Sequence, residues 1–191
     1  MNTPAHAIIN LLLAGKGHRS SHSLAIAIGA LLPDAPMLLF YIWEKIQGVS
    51  ERIIWSELYY HPGWQALFNT FHSFPLLALA CFTAWRARMR STAVFFGSMF
   101  CHSLFDFPVH HSDAHQHFIP LSDYRFISPI SYWDPAYYGM WVGSLELLVV
   151  VAGGGWLLRT SQNVTLSHSV GALLFAYLLF CGFASAMWLN N

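Results

Sequence analysis

Apolar stretches close to twenty residues long recur at 23–43, 66–85, 92–109, 138–158 and 170–189, and a shorter one covers residues 4–15. A helix needs about 20 such residues to cross the hydrocarbon of a bilayer, and there every backbone amide must be satisfied within the protein. The pattern predicts an all-α, polytopic membrane protein: about five spans, a short N-terminal helix and a His-rich outer loop, folded as a single domain over 1–191. Only 9% of the 191 residues are charged, whereas soluble proteins carry about 25%. Net charge is zero and basic residues gather only in short turns. Nucleic-acid binding therefore has no electrostatic footprint. Cys81, Cys101 and Cys181 are odd in number and lack a CxxC spacing, so they read as packing residues. The first fifteen residues lack the basic region of a secretory signal, which favours a retained helix.

Ionisable side chains are costly in such surroundings and mark a site by default. His6, Asp34, His72, His102, Asp106 and Glu146 all lie in or beside apolar runs. The midpoint of His6 and Asp34 is residue 20, in the basic turn Lys16–Ser21; that of His72 and His102 is residue 87, in Arg86–Arg90. If each turn closes an antiparallel helix pair, both pairs meet about 21–22 Å above their turns. Helical spacing adds polar stripes: His6 with Asn10; Gln65, Asn69 and His72; Ser98, His102 and Asp106. Gly139, Gly143 and Glu146 form a small-residue stripe that lets another helix backbone approach closely. Pro33 and Pro36, either side of Asp34, predict a kink or break in that span. Segment 44–65, rich in charge, Trp and Tyr, reads as an interfacial helix.

Orientation follows from the short loops. Lys16, Arg19, Arg86, Arg88, Arg90 and Arg159 share one face with no acids; the other face holds Lys45, Arg52 and Arg125 against six acidic residues. The basic face belongs in the cytoplasm, so the site sits toward the outer leaflet, beneath the polar loop 110–137. Imidazole nitrogen and carboxylate oxygen suit zinc or a similar divalent ion, one or more. The expected ligands are His6, Asp34, His72, His102 and Asp106, with Glu146 as a further carboxylate. The site is thus built from 4–43 and 66–117, joined by 138–158 where Glu146 contributes, with Ser98 and Asn10 orienting the rings. The loop sequence His110-His111-Ser112-Asp113-Ala114-His115-Gln116-His117 offers His110, Asp113, His115 and His117 to a second ion, or forms a pH-sensitive lid that binds nothing. Arg125 is a candidate phosphate contact or a snorkelling anchor.

His6, Gly29-Ala-Leu-Leu-Pro-Asp34, Thr70-Phe-His72-Ser73 and His102-Ser-Leu-Phe-Asp106 together resemble the YdjM-like (LexA-regulated) family of predicted inner-membrane metal-dependent hydrolases. The resemblance covers most of residues 4–140. It implies a multi-pass protein of the bacterial inner membrane with a hydrolytic metal centre at His6, Asp34, His72, His102 and Asp106.

The expected function is hydrolysis, by a membrane-embedded enzyme, of an amphiphilic ester or phosphoester such as a phospholipid, with Asp34 or Asp106 bridging ions or accepting a proton. Two alternatives come from other classes. One is a b-type haem electron-transfer protein with His72 and His102 as axial ligands; the other is a divalent metal-ion transporter. Lipid is the expected partner in each case, and the sequence does not fix an oligomeric state.

Overall fold

The protein is described by a computed structural model covering residues 1–14 and 20–189, with side chains over 1–14 and 22–182. Lys16, His18 and Arg19 lie outside the described residues, and with them most of the first basic turn. The described residues form α1 (Thr3–Ala14), α2 (Ser20–Leu31), α3 (Ala35–Ile46), α4 (Glu51–Ser56), α5 (Pro62–Phe71), α6 (Phe74–Arg86), α7 (Arg90–Asp106), α8 (Gly139–Thr160) and α9 (Val164–Leu189), with short 3-10 turns at Leu32–Asp34, Leu58–Tyr60 and Pro135–Tyr137. No strand occurs among the described residues. The all-α expectation therefore holds.

The expectation of five spans is not matched. Among the described residues three helices are long and apolar enough to cross a membrane, namely His22–Ile46, Gly139–Thr160 and Val164–Gly182; the bent pair α5–α6, meeting at 40°, makes a fourth if it counts as one span. The helix α7 has 17 residues, short of the usual ~20. Ser98, His102, Ser103 and Asp106 are all buried on it, so its sequence serves the interior more than lipid.

Both breaks fall at site residues. At Pro33–Pro36 the helix narrows to a 3-10 turn yet continues as one 25-residue path from His22 to Ile46. Each proline lies in the first turn of the segment it opens, where its missing N–H has no helical partner to lose. The expected kink is therefore mild. The break at His72 is sharper: α5 ends there, Ser73 caps α6 by accepting from Leu76 N, and Pro75 occupies the new first turn.

The helix α1 is the centre of the fold rather than its edge. It packs against α2, α7, α8 and α9, burying Ala5, Ile8 and Leu11 with Ile26, Val150, Leu157 and Tyr177. Close approaches depend on missing side chains. A Cβ on Gly29 would strike the Phe95 carbonyl and Ser98, and one on Gly153 would strike Leu12. Asn10 Nδ2 donates to Ser98 O and Oγ at 2.9 and 2.8 Å, and Ser98 Oγ donates to Ile26 O at 2.6 Å. These polar bonds tie α1, α7 and α2 together; the expectation that Asn10 and Ser98 orient ligand rings is replaced by this clamp.

Segment 44–65 runs from the end of α3 through the short helix α4 and a 3-10 turn into the start of α5, and is not one interfacial helix. Of its aromatic residues Tyr59 is buried, joining Ile54, Phe40 and Phe68 in a second core with Trp64 packed against it, while Trp55 and Tyr60 stay exposed. The polar loop between α7 and α8 is folded back on itself: Ser128 N donates to His110 O at 3.0 Å and Tyr132 N to Val109 O at 2.9 Å. It also grips the α5–α6 break, through Phe74 N on His117 O at 2.8 Å and Ser73 Oγ on Ile119 O. Gly139 and Gly143, expected as a helix-packing stripe, abut Asp134 and Tyr132 of this loop.

Candidate metal centre

Asp34, His72, His102 and Asp106 each offer one donor atom, and these four atoms all lie within 4.8 Å of one another. They arrive from four places: the 3-10 turn between α2 and α3, the break between α5 and α6, and two successive turns of α7. His72 Nε2 and His102 Nε2 are 3.3 Å apart. Asp106 Oδ2 is 3.0 Å from His102 Nε2 and 3.7 Å from His72 Nε2. Asp34 Oδ1 is 3.4 and 3.7 Å from the same two nitrogens.

Local structure aims each donor. The Nδ1 of His72 faces Phe68 O at 2.8 Å and that of His102 faces Ala30 O at 2.7 Å. A carbonyl only accepts, so each ring carries its proton on Nδ1 and keeps the Nε2 lone pair for the shared space. Asp34 stands at the N-cap of α3 but makes no capping bond. One oxygen turns to the imidazoles, and the other accepts from Thr3 Oγ1. Asp106 is nearly closed off, its side chain 2% exposed, whereas that of Asp34 is 15% exposed. Asp34 is thus the member of the set nearest to solvent.

Two imidazoles and two carboxylates at this spacing could hold a divalent metal ion. The charge balance agrees: two buried carboxylates with neutral imidazoles carry two negative charges, which burial alone would not tolerate and a divalent ion offsets.

His6 lies beside the four and not among them. Its ring stacks on His102 at 3.7 Å between centroids, and its Nε2 is 2.9 Å from Asp106 Oδ1, the oxygen turned away from His72. His110 Nε2 is 3.2 Å from that same oxygen, and His110 Nδ1 is 3.0 Å from Asp113 Oδ2. The amino group of Met1 lies 2.6 Å from Asp106 Oδ1.

The other expected donors are placed differently. Glu146 accepts from Asn2 Nδ2 at 2.6 Å and Asn2 N at 3.3 Å; it anchors the start of α1 rather than joining the four. His115 stacks on His72 at 4.0 Å, roofing the centre, and neither of its ring nitrogens has a hydrogen-bond partner. Burial, reinforced by the nearby His72, holds His115 well below the ordinary imidazole range and lowers His117 to about 3. Burial raises the Asp113 carboxyl, but His110 more than reverses this and leaves it below the usual value. Arg125 donates to Ala114 O and, at 3.3 Å, to Gln65 Oε1, stapling the loop to α5. Asn69 and Gln116 exchange two bonds of 3.1 and 3.0 Å for the same purpose. The stripe of Gln65, Asn69 and His72 does face inward, but its first two members hold the loop down.

Sequence reasoning missed Thr3 and Asn2. Thr3 is three residues before His6, so extending the His6–Asn10 stripe back by one helical step finds it. Comparison of the chain with family models, with curated proteins and with solved structures finds no match. The reading of this centre rests on its own geometry.

Proposed function

We propose that this protein is a membrane-embedded, metal-dependent hydrolase acting on an amphiphilic ester or phosphoester, with a phospholipid as the leading substrate class. The observation that carries the reading is the convergence of Asp34, His72, His102 and Asp106, each held by a partner that leaves a lone pair facing inward. A divalent ion held there acidifies water toward neutral pH and polarises a carbonyl or phosphoryl oxygen. Asp106, buried and contacted on both oxygens, serves as a fixed ligand. Asp34, nearer to solvent, suits proton transfer: it takes a proton from the attacking water and returns it to the leaving alkoxide. His115 and the loop exclude bulk water. Apolar helices around the centre favour a substrate with a lipid portion, and the resemblance to the YdjM-like hydrolases supports a hydrolytic metal centre in a membrane protein. The chain's place is then the bacterial inner membrane, with the centre toward the outer leaflet; Arg90 and Arg159 stand at the ends of α7 and α8 remote from the loop.

The haem alternative draws no support from this geometry. A macrocycle would have to pass between nitrogens 3.3 Å apart, with Asp34 and Asp106 oxygens 3.0–3.7 Å from them. The test of the proposal is turnover of phospholipid and lipid-phosphate substrates by detergent-purified protein. Activity abolished by chelator, restored by zinc or manganese and absent in Asp34→Asn supports it. Chelator-resistant turnover, or none with any such substrate in metal-loaded protein, overturns it.

A further inference from the structure

Asp106 presents its two oxygens to two different sets of nitrogens. Oδ2 faces His102 and His72, while Oδ1 faces His6 Nε2 at 2.9 Å and His110 Nε2 at 3.2 Å. His6, His110 and Asp106 are 0%, 5% and 1% exposed, so bulk water does not satisfy this second group of donors. Asp113 sits behind His110, 3.0 Å from its Nδ1. A carboxylate at the far nitrogen of an imidazole is the usual orienting partner of a metal-bound histidine.

The geometry points to a second divalent-cation site formed by His6, His110 and Asp106 Oδ1, with Asp106 bridging it to the ion held by Asp34, His72 and His102. This deepens the hydrolase reading and rests on it. A carboxylate that bridges two ions belongs to centres that clamp both the attacking and the leaving oxygen of an in-line displacement at phosphorus. The substrate class narrows accordingly from esters in general to phosphoesters. Water oxygen bonds to phosphorus as the ester P–O bond breaks, and the proton taken by Asp34 passes to the leaving alkoxide. The stacking of His6 on His102, centroids 3.7 Å apart, places the two ligand sets side by side, as a shared carboxylate requires.

The test is zinc stoichiometry of the detergent-purified full chain, by elemental analysis after removal of free metal. Wild type is expected to hold two equivalents, and His110→Ala and His6→Ala one each. A wild type saturating at one equivalent overturns the second site and leaves the hydrolase reading standing; a wild type that holds none overturns both. Two equivalents in either variant also overturn the assignment. Should the variants fail to fold, X-ray absorption of zinc-loaded wild type decides: a metal–metal shell near about 3.5–4 Å is expected, and its absence refutes the pair.

Discussion

Removing one hydroxyl from α1, a helix that supplies none of the four converging donors, tests whether the centre is held as described. Thr3 Oγ1 donates to Asp34 Oδ2 and leaves Oδ1 pointing at His72 and His102. In Thr3→Val the side chain keeps its shape and loses the donor. A hydrogen bond to a charged acceptor contributes about 1.5–3 kcal/mol, which at about 1.4 kcal/mol per tenfold corresponds to roughly 10- to 150-fold in affinity. Asp34 is 15% exposed, so water replaces part of the lost bond and the expectation settles at the lower end, about 10- to 30-fold, within the range usual for partners of metal ligands. Zinc affinity measured by competition with a chromophoric chelator reads this directly. Thr70→Val is the control, because Thr70 Oγ1 bonds only Ala66 O on its own helix, at 2.7 Å. Thr3→Val with the wild-type zinc affinity would refute the claim that Asp34 is oriented from α1.

Three further outcomes follow from the same contacts. Gly29→Ala drives a methyl into the Phe95 carbonyl and Ser98; overpacking of this kind costs about 1–3 kcal/mol, so a lowered unfolding temperature is expected together with weaker zinc binding, because His102 is aimed by Ala30 next door. Asp106→Asn keeps the shape of the side chain and removes its charge, and should abolish stoichiometric metal while circular dichroism shows the helices intact; full retention of metal would refute the ligand assignment. Acid should loosen the loop. Burial lowers His117 to about 3 from its ordinary 6.5, so between those values the unfolded chain binds the extra proton and stability falls as pH drops below about 6.5. Amide exchange in the loop, corrected for its intrinsic pH dependence, should quicken at pH 5.5 relative to 7.5, and unchanged protection would count against a neutral buried His117.

Much of the centre was legible because depth in a membrane helix is set by counting. His72 and His102 sit equally far from the Arg86–Arg90 turn and end 3.3 Å apart. Asp34 and Asp106 stood out as carboxylates with no business in apolar runs. The span count was less legible, since apolar length does not reveal where a helix gives way to the site. α7 stops at Asp106, and the run at 66–85 hides a break at His72 made by Ser73 and Pro75. Loop residues were the hardest to assign. His110 reaches Asp106 while His111 turns to Ser128 O at 2.6 Å, and nothing local separates the two neighbours; the path of the loop decides. Glu146 was legible as a buried acid, but its partner Asn2 is 144 residues away in sequence and meets it only once α1 is enclosed.

The central claim is that two imidazoles and two carboxylates from separate segments share a divalent cation. X-ray absorption at the zinc edge of the loaded, detergent-purified protein measures that environment. The account predicts nitrogen and oxygen neighbours at about 2.0–2.1 Å, an average of two imidazole rings per zinc, and a lower zinc content in His102→Ala. A sulfur shell near about 2.3 Å, which would implicate Cys101 instead, or zinc content and spectrum both unchanged in His102→Ala, would contradict it.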